Sequence, residues 1–375
     1  MEVLSGLIRY ALLLAGHPGP VTAGGYSRPD ETRHGGAGVL DGVFVSFVVI
    51  AYNESENIAR TLDAIAAQNG LGGYEVIVVN DGSGDGTAGI VGRIAAADPR
   101  VRLIDLAENR GRGFARSTGT AAARGDLIAT VDGDIILPPG WLARAREALR
   151  DHDAVGGTAV PDGDVAYLHR RFGLAPRSVG HTTAVTGSNA LYRREVFSIA
   201  GFDPALREGE DVALNHALRL HGLSLATVPG LLARHAEGKT LRASLRWLFV
   251  SGKGATRQLL AYRQVRTPDL AAGAFAAAAA AGLLLWARRR PVAGTALPAA
   301  LVVAAGTQHV RSRFETPWSQ WNRVLPAIAV DSAMLTAYFT GRLVGLAALW
   351  RRQQENRPAP GPVTRRRAAS AGWRR

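Results

Sequence analysis

Two aspartates separated by one glycine, Asp132-Gly133-Asp134, stand directly after the apolar run Leu127–Val131. Paired carboxylates at that spacing supply hard oxygen ligands to Mg2+ or Mn2+, and the same cation can grip a diphosphate. The glycine permits a tight turn and close approach of a ligand. A second acidic pair, Glu210-Asp211, follows Gly209 and opens a helical stretch containing Leu214 and Leu218. A carboxylate there is placed either to take a proton from an attacking hydroxyl or only to complement the helix dipole. A third cluster, Asn80-Asp81-Gly82-Ser83-Gly84-Asp85-Gly86-Thr87, ends the apolar run Val76–Val79. Asp81 suits hydrogen bonds from a base or ribose, and the glycines let backbone amides approach phosphates. Asp85 or Thr87 equally suits a helix cap.

Such groups act together only if the fold gathers them. Val45–Ile50, Glu75–Val79, Val101–Leu106 and Leu127–Val131 are short apolar runs of the kind buried in parallel sheets. Helical spacing lies between them: Ile58, Leu62 and Ile65 behind a cap at Asn53 with Glu56; Ile90 and Ile94; and a stretch from about Gly111 to Ala123. This alternation predicts an α/β fold, a mostly parallel sheet with helices on both faces. Ligands of such sheets bind beyond the carboxyl ends of the strands. Tyr52-Asn53-Glu54, Asn80–Ser83 and Asp132–Asp134 all fall at those ends. No Gly-x-Gly-x-x-Gly follows the first strand and no strong triphosphate loop is present, which disfavours dinucleotide and triphosphate enzymes.

The 375 residues exceed one ordinary domain. Four regions are expected: a short helix and linker over 1–42, a catalytic domain over 43–262, two or three membrane-associated helices over 263–350, and a basic tail over 351–375. The N-terminal apolar stretch Leu4–Ala15 is interrupted by Arg9 and lacks a basic leader. It reads as a surface or interfacial helix. Leu270–Ala287 and Pro291–Gln308 are uncharged, and Val324–Trp350 contains only Asp331 and Arg342 as charges. A membrane span needs about 20 apolar residues, so the first two are marginal and the third can span or lie in the interface. The net charge of +13 is concentrated at the end of the chain, where residues 351–375 hold eight arginines and one acidic residue. After hydrophobic segments and without interleaved aromatics, that tail suits anionic lipid headgroups rather than nucleic acid. Positive-inside reasoning places it, and the catalytic domain, on the cytosolic side of the cell membrane. Zero cysteines exclude disulfides, thiol nucleophiles and thiolate metal sites.

Seven short motifs occur in one order: Val48-Val49-Ile50-Ala51-Tyr52-Asn53-Glu54, Val79-Asn80-Asp81-Gly82-Ser83, Asn109-Arg110-Gly111-Arg112-Gly113-Phe114-Ala115-Arg116, Val131-Asp132-Gly133-Asp134, Thr186-Gly187-Ser188-Asn189, Gly201-Phe202-Asp203 and Gly209-Glu210-Asp211. With them, residues 45 to about 260 resemble a family 2 glycosyltransferase of the GT-A fold, an inverting and membrane-associated type. The resemblance implies an enzyme that moves one sugar from a nucleotide-sugar donor to a hydroxyl of a lipid-linked or glycan acceptor, with a divalent cation, Mg2+ or Mn2+. It places Ala51, Tyr52, Glu54 and Asp81 around the nucleotide. Asp134 and Asp132 belong at the metal and diphosphate, with His235 as a third ligand, and Arg112 or Arg116 facing the donor's negative charge. Gly187, Ser188, Asn189 and Glu210 are implied near the acceptor and donor sugar, and Asp211 as the base. Processive relatives carry Gln-x-x-Arg-Trp, whereas Ala243-Ser244-Leu245-Arg246-Trp247 lacks the glutamine, which favours single transfers. Transfer directly to a polyprenyl phosphate, or a non-catalytic membrane scaffold that binds nucleotide sugar, are the competing readings.

Overall fold

In the computed structural model of the protein, residues 43–68, 73–163, 175–176, 185–236, 240–262, 267–315 and 321–355 are described. The expected N-terminal helix and linker, and the tail beyond Glu355, lie outside them.

The strands are β1 (Val45–Ala51), β2 (Tyr74–Asn80), β3 (Val101–Asp105), β4 (Leu127–Asp132), β5 (Ile135–Ile136), β6 (Ala154–Gly156), β7 (Ala159–Pro161), β8 (Ala175–Pro176), β9 (Asn189–Arg193), β10 (Leu225–Thr227), β11 (Ala233–His235) and β12 (Phe314–Glu315). The helices are α1 (Ile58–Ala66), α2 (Thr87–Ala97), α3 (Arg112–Ala122), α4 (Trp141–Ala148), α5 (Val196–Ile199), α6 (Glu210–Leu220), α7 (Leu241–Tyr262), α8 (Thr267–Ala287), α9 (Pro291–Arg313) and α10 (Trp321–Glu355).

Seven strands form the main sheet in the order β10-β6-β9-β4-β1-β2-β3. All residues of β1 and β2 are buried, as their largely apolar sequences favour when helices cover both faces, and the polar exceptions Ser46, Glu75 and Asn80 are hydrogen-bonded. The register fixes the site. Ala51 pairs with Asn80, and Ile50 pairs with both Val79 and Asp132, all in parallel. The residues that follow these positions therefore emerge along one edge. β9 runs antiparallel to β4 with Asn189 opposite Val131, so the segment before β9 returns to the same edge. A three-stranded sheet, β5-β11-β7, pairs His235 with Ile135 and so sets His235 beside Asp134.

The first helix departs from the sequence expectation at its start. Asn53 does not cap it; the helix opens at Ile58 after Asn57. Asn53 instead adopts a positive φ of 57°, and its side-chain oxygen accepts a hydrogen bond from Gly84 N (2.9 Å). The asparagine thus spends its local hydrogen-bonding ability on joining two loops rather than on a helix end.

In the C-terminal region α7 packs along α10, and α8 along α9. Glycines permit this: a side chain at Gly252 would meet the Arg342 backbone nitrogen at 3.1 Å, and one at Gly345 the Lys253 carbonyl at 3.0 Å. Among the described residues two helical segments are long and apolar enough to cross a membrane, Pro291–Gln308 and Val324–Ala348. The apolar part of α8, Gly273–Ala287, is shorter. Helix α10 runs to Glu355, so the first residues of the expected basic tail, Arg351 and Arg352, are helical.

Candidate active site

At the carboxyl edge of the sheet lies a cleft of about 490 Å³. It is lined by Ala51, Tyr52, Glu54, Asp81, Arg112, Asp132, Asp134, Ser188, Asp211 and His235, ten of the residues singled out in the sequence. Ile50, Ala115, Gly133, Thr186 and Trp247 complete the wall.

One side is built from loops that follow β1 and β2. Ser83 Oγ accepts from Asn53 N (2.9 Å), Thr87 Oγ1 from Glu54 N (2.8 Å), and Asp85 from Ser55 N (3.0 Å). Asp85 also accepts from Thr87 N (3.0 Å), the capping role open to it in the sequence. Asp81 is buried, and its two oxygens accept from the amides of Arg110 (2.7 Å) and Gly111 (2.9 Å). Gly111, at φ 93°, turns the chain into α3 at that point. Asp81 therefore orders the loop that carries Arg112 as well as facing the cleft. Burial raises the Glu54 carboxyl; the Asn57 amide opposes this, the charges of Asp134 and Asp132 add to it, and the group is pushed up to about 7.

At the centre, Asp134 Oδ2 lies 2.8 Å from His235 Nε2. A hard carboxylate oxygen and an imidazole nitrogen in the cleft wall form a donor set that fits a divalent cation. Among the described residues no third His, Cys, Asp or Glu closes a cage around it. The pair would leave coordination positions open to a diphosphate, which is how such cations are commonly shared between protein and substrate. Thr61 Oγ1 donates to Gly133 O (2.8 Å) and fixes the turn between the two aspartates.

The opposite side comes from distant segments. Gly209, at φ 76°, starts α6 and lets Asp211 face the cleft. Asp211 accepts from Gly187 N (3.4 Å) and from Val212 N (2.8 Å). Trp247, on α7, is 46% exposed at the cleft mouth.

Four residues singled out in the sequence do not line the cleft. Arg116 is 2% exposed and is paired with both Glu210 and Asp132, so its charge is spent inside the protein. Burial works against that charge, but Asp132, Glu210 and Asp211 outweigh it and raise the guanidinium above its ordinary value. Glu210 is likewise buried; burial raises its carboxyl, Arg116 opposes this, and the neighbouring Asp211 adds to it. Asn189 is fully buried, accepting from Trp141 Nε1 (2.7 Å) and donating to Leu231 O (2.9 Å). Gly187 sits behind the wall against Arg116. Conversely, Trp247 and Thr186 were available as parts of Arg246-Trp247 and Thr186–Asn189, but nothing local in the sequence says that a residue of α7 reaches this edge.

Residues 46–199 match the family described as Glycosyl transferase family 2. The succinoglycan biosynthesis protein ExoO of Rhizobium meliloti (strain 1021) is 39% identical over 193 residues, 45% of this chain and 54% of that protein. The undecaprenyl-phosphate 4-deoxy-4-formamido-L-arabinose transferase of Edwardsiella ictaluri (strain 93-146) is 32% identical over 203 residues, 48% of this chain and 62% of that protein. The chain thus spans little more than half the length of these curated relatives. The mannosyltransferase PcManGT from Pyrobaculum calidifontis, solved in complex with GDP-Man and Mn2+, shares the fold with a TM-score of 0.52, 23% identity, and coverage of 94% of this chain and 96% of that one.

Proposed function

The chain carries a family 2 glycosyltransferase domain, and from that premise we propose that it moves a single sugar from a nucleotide-sugar donor to a hydroxyl of a lipid-linked or cell-envelope glycan, with inversion at the anomeric carbon. The carrying observation is the convergence of Asp81, the Asp132–Asp134 pair and Asp211, from three separated segments, on one cleft.

In this reading Tyr52, Glu54 and Asp81 border the nucleoside, and Arg112 faces the diphosphate across the cleft. Asp134 and His235 would hold a divalent cation, Mg2+ or Mn2+, and Asp132 stands beside them. When bound, such a cation neutralises charge developing on the leaving diphosphate. Asp211 takes the acceptor proton as the hydroxyl attacks from the face opposite the leaving group. The displacement is single and in line, so the configuration inverts and no second carboxylate has to form a covalent intermediate. Thr186 and Ser188 border the reacting sugar between the two sides.

The candidate spans in α9 and α10 and the arginines after them support a place at the cell membrane, with the cleft on the cytosolic side. One relative is named as an undecaprenyl-phosphate sugar transferase, which favours a second reading in which the acceptor is a polyprenyl phosphate. A phosphate oxygen then attacks and needs less help from Asp211. The test is incubation of protein-containing membranes with a panel of nucleotide sugars and Mn2+ or Mg2+, measuring nucleoside diphosphate release with and without lipid extract. Lipid-dependent release supports transfer, and hydroxyl or phosphate linkage of the product separates the two acceptors. No release with any donor rules the reaction out.

A further inference from the structure

Among the described residues before α7, the largest fully buried charged side chain is one that the proposed chemistry does not use. Arg116 projects from α3 into the space behind the cleft and is 2% exposed. Its Nη2 is paired with Asp132, at the end of β4, and its Nη1 with Glu210, at the start of α6. Its Nε donates to the carbonyl of Gly187 (3.2 Å). The amide of that same glycine donates to Asp211 (3.4 Å). One planar guanidinium thus joins, without a break, the carboxylate on the donor side to the segment that carries the base. Glu210 Oε2 is buried with no hydrogen-bond partner, so Arg116 is the counter-charge that makes burial of this glutamate tolerable. A second connection runs parallel: the amides of Arg112 (3.3 Å) and Gly113 (3.0 Å) donate to the carbonyls of Arg207 and Leu206, just ahead of α6. The first turn of α3 is therefore fastened to the segment that leads into the Glu210–Asp211 pair.

We propose that Arg116 is a positioning residue: through its three-way fork it holds Asp132 and Asp211 at a fixed separation, so that departure of the diphosphate and removal of the acceptor proton take place in register. This rests on the glycosyl-transfer reading above. It requires the fork and not merely the charge, because an ammonium is a point donor that cannot span Asp132, Glu210 and Gly187 in one plane.

The test uses the full chain in lipid nanodiscs, with UDP-glucose, UDP-N-acetylglucosamine and GDP-mannose as donors, Mn2+, and a total polar lipid extract as acceptor source. Arg116→Lys is expected to lower kcat by about 100-fold, the cost of an ångström-scale misplacement, while KM for the donor stays within about threefold and the far-ultraviolet spectrum is unchanged. Glu210→Gln, which removes one arm and leaves the pair with Asp132, is expected to lower kcat by about tenfold with the same unchanged KM. A purely structural arginine would show the opposite pattern. Lysine would restore kcat, or any loss would follow the fraction of protein folded. Either result overturns the proposal. If Arg116→Lys does not fold, Glu210→Gln decides alone: parental kcat in that variant also overturns it. Absence of turnover by the parent protein with all three donors removes the reaction, and this role with it. Turnover by the parent with an unimpaired Arg116→Lys removes only the role.

Discussion

The two sides of the cleft are built in different ways. The side assigned to the nucleotide consists of loops that follow adjacent parallel strands, and those loops hold each other: Asn53 with Gly84, Ser55 with Asp85, Asp81 with Arg110 and Gly111. Asp81 and Asp85 there are satisfied by backbone amides, and Glu54 accepts from the Asn57 side chain. The side assigned to the acceptor gathers Thr186, Ser188, Asp211 and Trp247 from segments far apart in sequence. There, side-chain charge on a buried arginine does what backbone pairing does on the other side. A site for a constant ligand, the nucleotide, can be set by strand register. A site for chemistry between two substrates depends on contacts that span the domain, and its residues are correspondingly sensitive to single substitutions.

The sharpest break in that comparison comes from the proposed base, Asp211. Asp211→Asn keeps the shape and the contacts with Gly187 and Val212 but cannot accept a proton. Turnover is expected to fall about 1000-fold while nucleotide affinity stays within about threefold. Measured by single-turnover kinetics and calorimetry with Mn2+ and nucleoside diphosphate, an intact chemical step would take Asp211 out of its assigned role. On the other side the effect should appear in binding. Asp134→Ala removes one of the two paired donors and is expected to weaken Mn2+-dependent nucleotide binding about 100-fold, with His235→Ala costing about tenfold. Equal affinity with and without Mn2+ in the parent protein would dissolve the assignment of both.

A smaller effect sharpens the comparison at the join between the sides. In Gly187→Ala the added carbon would lie 2.8 Å from Cζ and 2.9 Å from Nε of Arg116. The neighbour that must move is the guanidinium, pinned at three points. A fall of about tenfold in kcat with donor affinity unchanged is expected; a loss that appears in donor affinity instead would show that the glycine serves the nucleotide side.

How much of this was legible in the sequence follows the same division. The parallel sheet and its helices were readable because runs such as Val76–Val79 are apolar without alternation, a pattern that only a doubly covered strand tolerates. The nucleotide side was readable because its residues directly follow those runs. The long-range contacts are less legible. Spacing alone does not bring His235, a metal ligand implied by the family resemblance, to Asp134; that follows from the pairing of β11 with β5, and nothing local puts Trp247 of α7 in the cleft wall. The resemblance implies Arg116 facing the donor's charge and Glu210 near the sugar, since an isolated arginine carries no sign that two carboxylates from other segments will pair with it in the interior. Asn53 reads as a cap because its local pattern suits one equally well; the partner that decides otherwise, Gly84, lies in the loop after the neighbouring strand β2.

The smallest expected effect lies at the other end of the same strands and serves as the control for both sides. Glu75 is buried near the start of β2 and accepts from Ser46 Oγ (2.7 Å), from Arg124 N (2.8 Å) and from the Arg124 guanidinium (2.9 Å). Burial alone would raise its carboxyl, but these hydrogen bonds outweigh it and hold the group below its ordinary value. A carboxyl that titrates lower in the folded chain stabilises it fully above the unfolded value of about 4.3. That contribution is lost as pH falls through the lower, folded value. The guanidinium partner is largely exposed, so solvent screens the pair. Glu75→Gln should therefore cost only about 1 kcal/mol at neutral pH and should flatten the acid limb of the stability curve, read from melting temperature between pH 7 and pH 3. Because Glu75 is remote from the cleft edge, kcat and donor affinity should match those of the parent at a temperature where both are folded. A catalytic defect in this variant would mean that the strands transmit strain along their length, and the separate construction of the two sides would no longer hold.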